Sequence, residues 1–384
     1  MTIPSSLHLL VDRMVFLKAI QAADAIVPSN STKPIVTKLL IRGSSENRHI
    51  EIIATDLNVG LRCMIPDADV RQSGEIVVDA RQITMILRET QSPAVTLRMT
   101  HQGEQHHVDI TLADGEYQIQ AVVGETFPEI QKHPDAISGI VIPGARLDDM
   151  LRLTTFAMDK DKGSPILSGL YVHVQNDEFI MTATDGKVLA EAIDRSERYA
   201  VAESIPSMVI PASTISHLQR ILSADTPAKV TLTPIGKVLF IRIEQSDGLR
   251  IELTSRLIEG SFPSYRAAIA VAPGAMTATF RTRDLDIAVR RAALMTNQGT
   301  RGIIMNLEKN RAIFSNLNYS NGSARIPIET TFTGNPMRQG FNSTYVIDVM
   351  KVYQQEQVVM EFGRGIVMRQ PGSTFLIMPI TLPN

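Results

Sequence analysis

Cysteine is almost absent from this 384-residue chain, in which Cys63 stands alone. A single thiol cannot form an intramolecular disulfide or a cysteine-based zinc cage. Cys63 is expected as a small core residue in a protein of the reducing cytoplasm. No apolar run approaches the roughly 20 residues that a membrane-spanning helix needs, so no membrane partner is expected. The start, MTIPSSLHLLVDRM, has no basic opening, no sustained apolar stretch and no small-residue cleavage site, which argues against a secretion signal. A surplus of one charge is missing as well. Lys and Arg number 38 against 40 Asp and Glu, a net charge of −2. That excludes a wholly basic nucleic-acid coat and leaves room for a locally basic surface.

Catalytic signatures are also lacking. Gly186-Lys187-Val188 and Gly236-Lys237-Val238 have neither the Ser/Thr nor the upstream glycine of a phosphate loop. No Gly-x-Gly-x-x-Gly follows a strand, and no Gly-x-Ser-x-Gly elbow occurs. His106 and His107 are neighbours in a strand pattern and point to opposite faces, so with His101 they do not share one ion. Asp159-Lys160-Asp161-Lys162-Gly163 places Lys where a calcium loop needs oxygen and lacks the closing Glu. Thr184-Asp185-Gly186 reads as a strand-end turn. No catalytic residue, metal or cofactor is therefore expected. The competing enzyme reading would use Asp56 or Asp185 as an acid/base.

What the chain does have is a repeat. Hydrophobic residues make up 44% and charged residues 20%, enough for ordinary cores in two or three domains. GETFPEI at Gly124–Ile130 returns as EGSFPSY at Glu259–Tyr265, with Phe127 and Phe262 135 residues apart. IIATDLNVGL at Ile52–Leu61 returns as MTATDGKVLA at Met181–Ala190, with Thr55 and Thr184 129 apart. Amphipathic helices are predicted over Val11–Ala23, Gly144–Met158 and Arg281–Met295, and again over Asp79–Glu89, Pro211–Leu222 and Asn342–Tyr353. The second set starts at intervals of 132 and 131 residues. Between the helices the apolar period falls to two, as in His106–Gly124, Lys229–Gln245 and Thr277–Thr282, joined by turns at Asp114-Gly115 and Pro234-Ile235-Gly236. The expected architecture is α+β with antiparallel sheets, in three tandem similar domains at 1–134, 135–271 and 272–384. The third copy has neither the Thr-Asp nor the Phe-Pro marker.

The polar sides of these helices, with the loop Asp159–Lys162, hold 14 cations and 10 anions. Four excess positive charges in a chain of net −2 suit either ordinary solvated faces or a surface that meets phosphate loosely without reading bases.

The runs TATDGKVLA (Thr182–Ala190), LTSRLIEGSFPSYR (Leu253–Arg266), STYVIDVMKV (Ser343–Val352) and FLIMPITL (Phe375–Leu382) resemble the bacterial DNA polymerase III beta subunit family, the sliding clamps, in order and spacing over essentially the whole chain. The resemblance implies a non-catalytic processivity factor with the DNA clamp fold: a head-to-tail homodimeric ring, helices lining the hole, sheets outside, and double-stranded DNA threaded through. A clamp loader would open it with ATP bound elsewhere. The replicative polymerase alpha subunit, the clamp loader, and other polymerases and repair proteins would dock linear motifs in a hydrophobic pocket. By position that pocket comprises Leu167, Thr184, Gly186, Lys187, Val188 and Leu189, then Pro263, Arg266, Ala267 and Ala268, then Leu376, Met378, Pro379, Ile380 and Thr381. Val188, Ala267 and Thr381 stand where many relatives have Arg, so a less positive pocket is implied. The alternative is that these residues are core strand ends. DNA-facing candidates are Asn30, Lys33, Arg81, Arg152, Lys160, Lys162, Arg220, Arg290 and Arg291; Ala212 and Ser213 replace residues that are often basic. Tyr117 and Ile119 are implied to meet Leu294, Met295 and Thr300 of a second copy. A scaffold with the same repeat but no DNA encirclement is the remaining alternative.

Overall fold

The computed structural model describes residues 6–102, 105–122, 126–134, 139–161, 163–199, 204–222, 228–297, 299–317 and 322–382. The first repeat runs β1 (His8–Asp12), α1 (Arg13–Asp24), β2 (Lys38–Ser44), β3 (His49–Thr55), β4 (Val59–Ile65), β5 (Asp69–Gln72), β6 (Gly74–Asp79), α2 (Ala80–Glu89), β7 (Ala94–Gln102), β8 (Gln105–Leu112) and β9 (Gly115–Gln120). The second runs β10 (Ile140–Pro143), α3 (Gly144–Thr154), β11 (Gly169–Gln175), β12 (Glu178–Thr184), β13 (Val188–Asp194), β14 (Met208–Pro211), α4 (Ala212–Ile221), β15 (Ala228–Ile235), β16 (Val238–Gln245) and β17 (Arg250–Arg256). A short helix, α5 (Arg266–Ile269), follows. The third runs β18 (Thr277–Arg281), α6 (Thr282–Ala293), β19 (Gly302–Glu308), β20 (Arg311–Asn316), β21 (Arg325–Glu329), β22 (Thr331–Thr333), β23 (Met337–Asn342), α7 (Ser343–Val352), β24 (Gln357–Phe362), β25 (Ile366–Gln370) and β26 (Ser373–Ile377). The six expected helices and the antiparallel strands between them are all present.

Local chemistry sets these boundaries. The Asp12 carboxylate accepts from the Met14 and Val15 amides, and Asp79 accepts from Arg81 and Gln82, so each caps the helix that follows. Asn342 caps α7 in the same way through Thr344. Phe16, Ala19, Ile20 and Ala23 form the buried stripe of α1, and Leu285, Ala288, Val289 and Ala292 that of α6. Three expected boundaries move. The helix expected to reach Met158 stops at Thr154 and tightens into a 3-10 turn at Thr155–Ala157, where the Thr154 hydroxyl donates back to the Met150 carbonyl and competes with the helical ladder. Pro211 caps α4 from the end of β14 rather than sitting in its first turn. The turn expected at Asp114-Gly115 lies at Ala113-Asp114, because Gly115 already pairs with Leu112.

The compact units do not follow the repeats. One comprises Met1–Asp148 with Ile210–Leu257, the other Asp149–Val209 with Ile258–Asn384. The reason is strand pairing across the repeat joints. In the first unit, β4 pairs with β17 and completes the eight-stranded sheet β10-β15-β16-β17-β4-β3-β2-β6. In the second, β13 pairs with β26 within the nine-stranded sheet β14-β11-β12-β13-β26-β25-β24-β18-β22. Smaller sheets, β5-β1-β7-β8-β9 and β21-β20-β19-β23, complete the first and second units respectively.

Each cross-joint strand is launched by a Thr-Asp turn, and the two turns share one hydrogen-bond pattern. Thr55 Oγ1 donates to the Val59 carbonyl and accepts from Leu57 N, while Asp56 Oδ1 accepts from Asn58 N and Val59 N. Thr184 and Asp185 do the same with Val188, Gly186 and Lys187. The residue after Asp has positive φ in both, 76° at Leu57 and 85° at Gly186. The spare carboxylate oxygen then reaches the second helix of the next repeat. Asp185 Oδ2 accepts from the Tyr345 hydroxyl on α7 at 2.9 Å, and Asp56 Oδ2 lies 3.6 Å from His217 Nε2 on α4. Burial works to raise the Asp56 pKa, but the His217 contact and the Val59 and Asn58 amides outweigh it and hold the carboxyl below its usual value of 3.8.

A carboxylate with a depressed folded pKa stabilises the fold above its unfolded pKa, and that contribution is lost as pH falls below about 3.8. Asp56→Asn is expected to lower the stability of the first unit by about 1 kcal/mol at pH 7. Urea titrations from pH 7 to pH 3 should show the difference between wild type and variant closing at the acid end.

Candidate peptide-binding pocket and polar helix faces

Within the second unit, the launched strand β13 and the final strand β26 lie side by side, with Leu189 opposite Leu376 and Val188 opposite Ile377. Leu189 and Leu376 are buried in one apolar cluster with Tyr265, Ile269 and Val367. Ala268 and Met378 pack on it half-buried, together with Tyr171, Phe262 and Val271. The Met378 amide donates to the Lys187 carbonyl at 2.7 Å, which ties the start of the C-terminal segment to the Thr184–Val188 turn. Leu189, Ala268, Leu376 and Met378 are thus gathered by packing, and Thr184, Gly186, Lys187 and Val188 by the turn. Leu167 is held differently, its backbone bonded to Ser164 and Asp159, and Ile380 is bridged to Gly340. Pro263, Arg266, Ala267, Pro379 and Thr381 are exposed beside this cluster in sequence.

The cluster has a polar floor. The Tyr265 hydroxyl donates to Glu191 Oε2 and accepts from the Thr182 hydroxyl at 2.9 Å, all three groups being buried. Burial, and then the Glu191 charge, push the Tyr265 phenol well above its usual value. Aromatic rings form one wall: Tyr171 stacks on Phe262 with centroids 4.7 Å apart and on His173 at 4.8 Å. Burial, and secondarily the Arg266 charge, lower the His173 pKa to about 4, so the imidazole in this stack is neutral at pH 7. Tyr171, Tyr265, Ile269 and Val367 were not singled out from the sequence. Tyr265 sits inside the FPSYR marker, which was the available signal, whereas Tyr171 and Val367 lie in plain strand patterns that carry none.

The DNA-facing candidates Asn30, Lys33, Arg81, Arg152, Lys160, Arg220, Arg290 and Arg291 are all exposed, and Lys162 lies outside the described residues. Several are already engaged. In the first unit Arg81 donates to Ser29 Oγ and Arg220 to the Ala25 carbonyl, so two helices fasten the segment leading to Asn30 and Lys33. In the second, Arg290 grips both oxygens of Asp286 at 2.8 and 2.9 Å, and Arg152 pairs with Asp149 at 3.1 Å. The hydrogen bond to Asp286 raises the Arg290 pKa above its usual value. The Asp159 carboxylate accepts from the Asp161 and Ser164 amides, so this loop uses its oxygens to hold its own backbone.

Of the residues implied for contact between copies, Leu294 is 77% exposed, Tyr117 44% and Met295 37%, and Thr300 is exposed. Ile119 is buried within its own sheet. Among the described residues no helix is long and apolar enough to cross a membrane, and no group of three or more His, Cys, Asp or Glu is placed to hold a metal.

Known proteins match almost the whole length of the chain. Models of the DNA polymerase III beta subunit match in succession, the N-terminal domain over residues 7–131, the central domain over 141–264 and the C-terminal domain over 274–377. The beta sliding clamp of Caulobacter vibrioides is 26% identical over 390 residues, covering 97% of this chain and 100% of that protein. That of Chlamydia trachomatis is 24% identical over 367 residues, covering 94% and 84%. Among solved structures, the DNA polymerase III subunit beta of Pseudomonas aeruginosa superposes with a TM-score of 0.84 at 21% identity, covering 98% of this chain and 100% of that one. The DNA polymerase sliding clamp of Bacillus subtilis gives 0.84 at 20%, covering 99% and 100%.

Tyr265→Phe removes the hydroxyl and leaves the buried Glu191 carboxylate without that donor. A loss of about 1–3 kcal/mol in denaturant stability is expected, and a neutral result would mean that the bond contributes nothing.

Proposed function

The chain belongs to the DNA polymerase III beta subunit family, and from that premise we propose that it is the non-catalytic processivity factor of a replicative DNA polymerase. Two copies form a head-to-tail ring from three domains each, at 1–134, 135–271 and 272–384. The ring encircles double-stranded DNA in the cytoplasm with helices toward the duplex and sheets outward. The observation that carries this reading is the run of three successive domain matches across the chain.

The polar helix faces support a loose hold on DNA. Exposed cations are numerous, yet Arg152 and Arg290 are each partly neutralised by a neighbouring carboxylate. Phosphate contacts of that kind are weak and salt-sensitive, and they carry no base readout. A closed ring tolerates them, because it is retained by linkage rather than affinity. Lys33, Arg81 and Arg220 are the contacts proposed on the first unit, and Arg152, Lys160, Arg290 and Arg291 on the second. The apolar cluster around Leu189, Leu376 and Met378 supports docking of short linear motifs from the polymerase alpha subunit, the clamp loader and repair polymerases. Val188 and Ala267 give this pocket less positive charge, which favours apolar over acidic partner residues.

Protein loaded by its clamp loader onto a nicked circle should stay bound at a salt concentration that abolishes binding to linear duplex, and should be released when the circle is cut. Equal retention on linear DNA, or none on circles, would contradict encirclement. Met378→Ala should weaken binding of a polymerase-derived peptide about tenfold by calorimetry, through loss of a half-buried apolar contact.

A further inference from the structure

The hairpin of β7 and β8 ends in a pair of histidines. His101 on β7 lies directly opposite His106 on β8. Their Nδ1 atoms are 2.8 Å apart, and the rings stand nearly perpendicular, at 83°, with centroids 4.7 Å apart. The strand period explains the meeting. Leu97 and Met99 precede His101 on one face of β7, and Val108 and Ile110 follow His106 on the same face of β8. These four apolar residues are buried, whereas His101 is exposed and His106 half-buried at the end of the row. Met99 and Val108 form the adjoining cross-strand pair on that face, so the rings rest against an apolar support. His107 opposes Thr100 and Gln120 on the other face and takes no part.

A hydrogen bond between two Nδ1 atoms requires one ring to carry its proton there and the other to accept. The donor ring can move that proton to Nε2, its other neutral tautomer, which frees both Nδ1 lone pairs for one ion. Metal–nitrogen bonds are about 2.0–2.1 Å long, so two cis ligands of a square-planar or tetragonal ion stand about 2.9 Å apart and two tetrahedral ligands about 3.3 Å. The observed 2.8 Å is close to the cis arrangement, and a small rotation of the rings brings both lone pairs onto one point.

We propose that His101 and His106 form a two-imidazole site for a divalent transition cation of square-planar or tetragonal preference, copper(II) or nickel(II), which staples β7 to β8 at the end of the hairpin. Copper(II) is held the more tightly of the two. Among the described residues no third His, Cys, Asp or Glu joins the pair. Water therefore fills the remaining positions, and the ion exchanges freely. The site lies in the first unit and uses none of the residues assigned to DNA, to partner motifs or to a second copy.

Titration of the full chain with copper(II) alone tests the site. Calorimetry should show one tight site per chain. Electron paramagnetic resonance of the equimolar sample should show two imidazole nitrogens in the copper plane. His101→Asn and His106→Asn, made separately, should each weaken that site about a hundredfold, because the second imidazole acts at a high effective concentration. His107→Asn, one residue along the same strand, should leave it unchanged. Equal copper affinity in wild type and in either paired-histidine variant overturns the proposal, as does a loss in His107→Asn as large as theirs. A wild-type spectrum with one imidazole nitrogen or none overturns it without recourse to any variant.

Discussion

Antiparallel pairing across the repeat joint is the interaction on which the rest of this molecule depends. A strand that ends a sheet exposes a row of amides and carbonyls, and a chain of three similar repeats generates such edges repeatedly. Here β4 closes onto β17 and β13 onto β26, so two joints become continuous sheets. The compact units therefore cut across the repeats. The Thr-Asp turns make this pairing repeatable: one hydroxyl and one carboxylate oxygen fix the bend, and the second oxygen reaches the following helix through Tyr345 or toward His217.

The same joint places the candidate pocket. Leu189 and Leu376 are cross-strand partners at the β13·β26 junction, and the Tyr265 hydroxyl satisfies the buried Glu191 on the same strand. Half-buried apolar residues lie beside a polar network that rigidifies the base of the cluster. The helix faces follow a different logic. Their cations are exposed but often answered by nearby acids, which suits a proposed duplex contact that must not arrest movement.

The repeat, the six helices and the α+β class were legible in the sequence, because the caps Asp12, Asp79 and Asn342 and the apolar helical stripes are local signals. The pocket residues Leu189, Leu376 and Met378 were legible only through the resemblance of TATDGKVLA and FLIMPITL to a known family. The sheets that run across the joints were not legible, since Leu61 and Leu253 meet over a separation that no local pattern encodes. Nor was the early stop of α3 at Thr154, whose hydroxyl turns back on its own helix. Ile119 shows the converse: its alternating pattern marked it as a strand residue, but which face it takes is set by tertiary packing, and it is buried in its own sheet.

The central claim is that pairing of β4 with β17 and of β13 with β26 makes each compact unit one cooperative body. Native-state hydrogen exchange tests it most directly. The account predicts that the paired amides of these four strands exchange only with the global unfolding of their unit. Exchange of β17 or β26 by local opening at the joint, with the rest of the unit still protected, would contradict it.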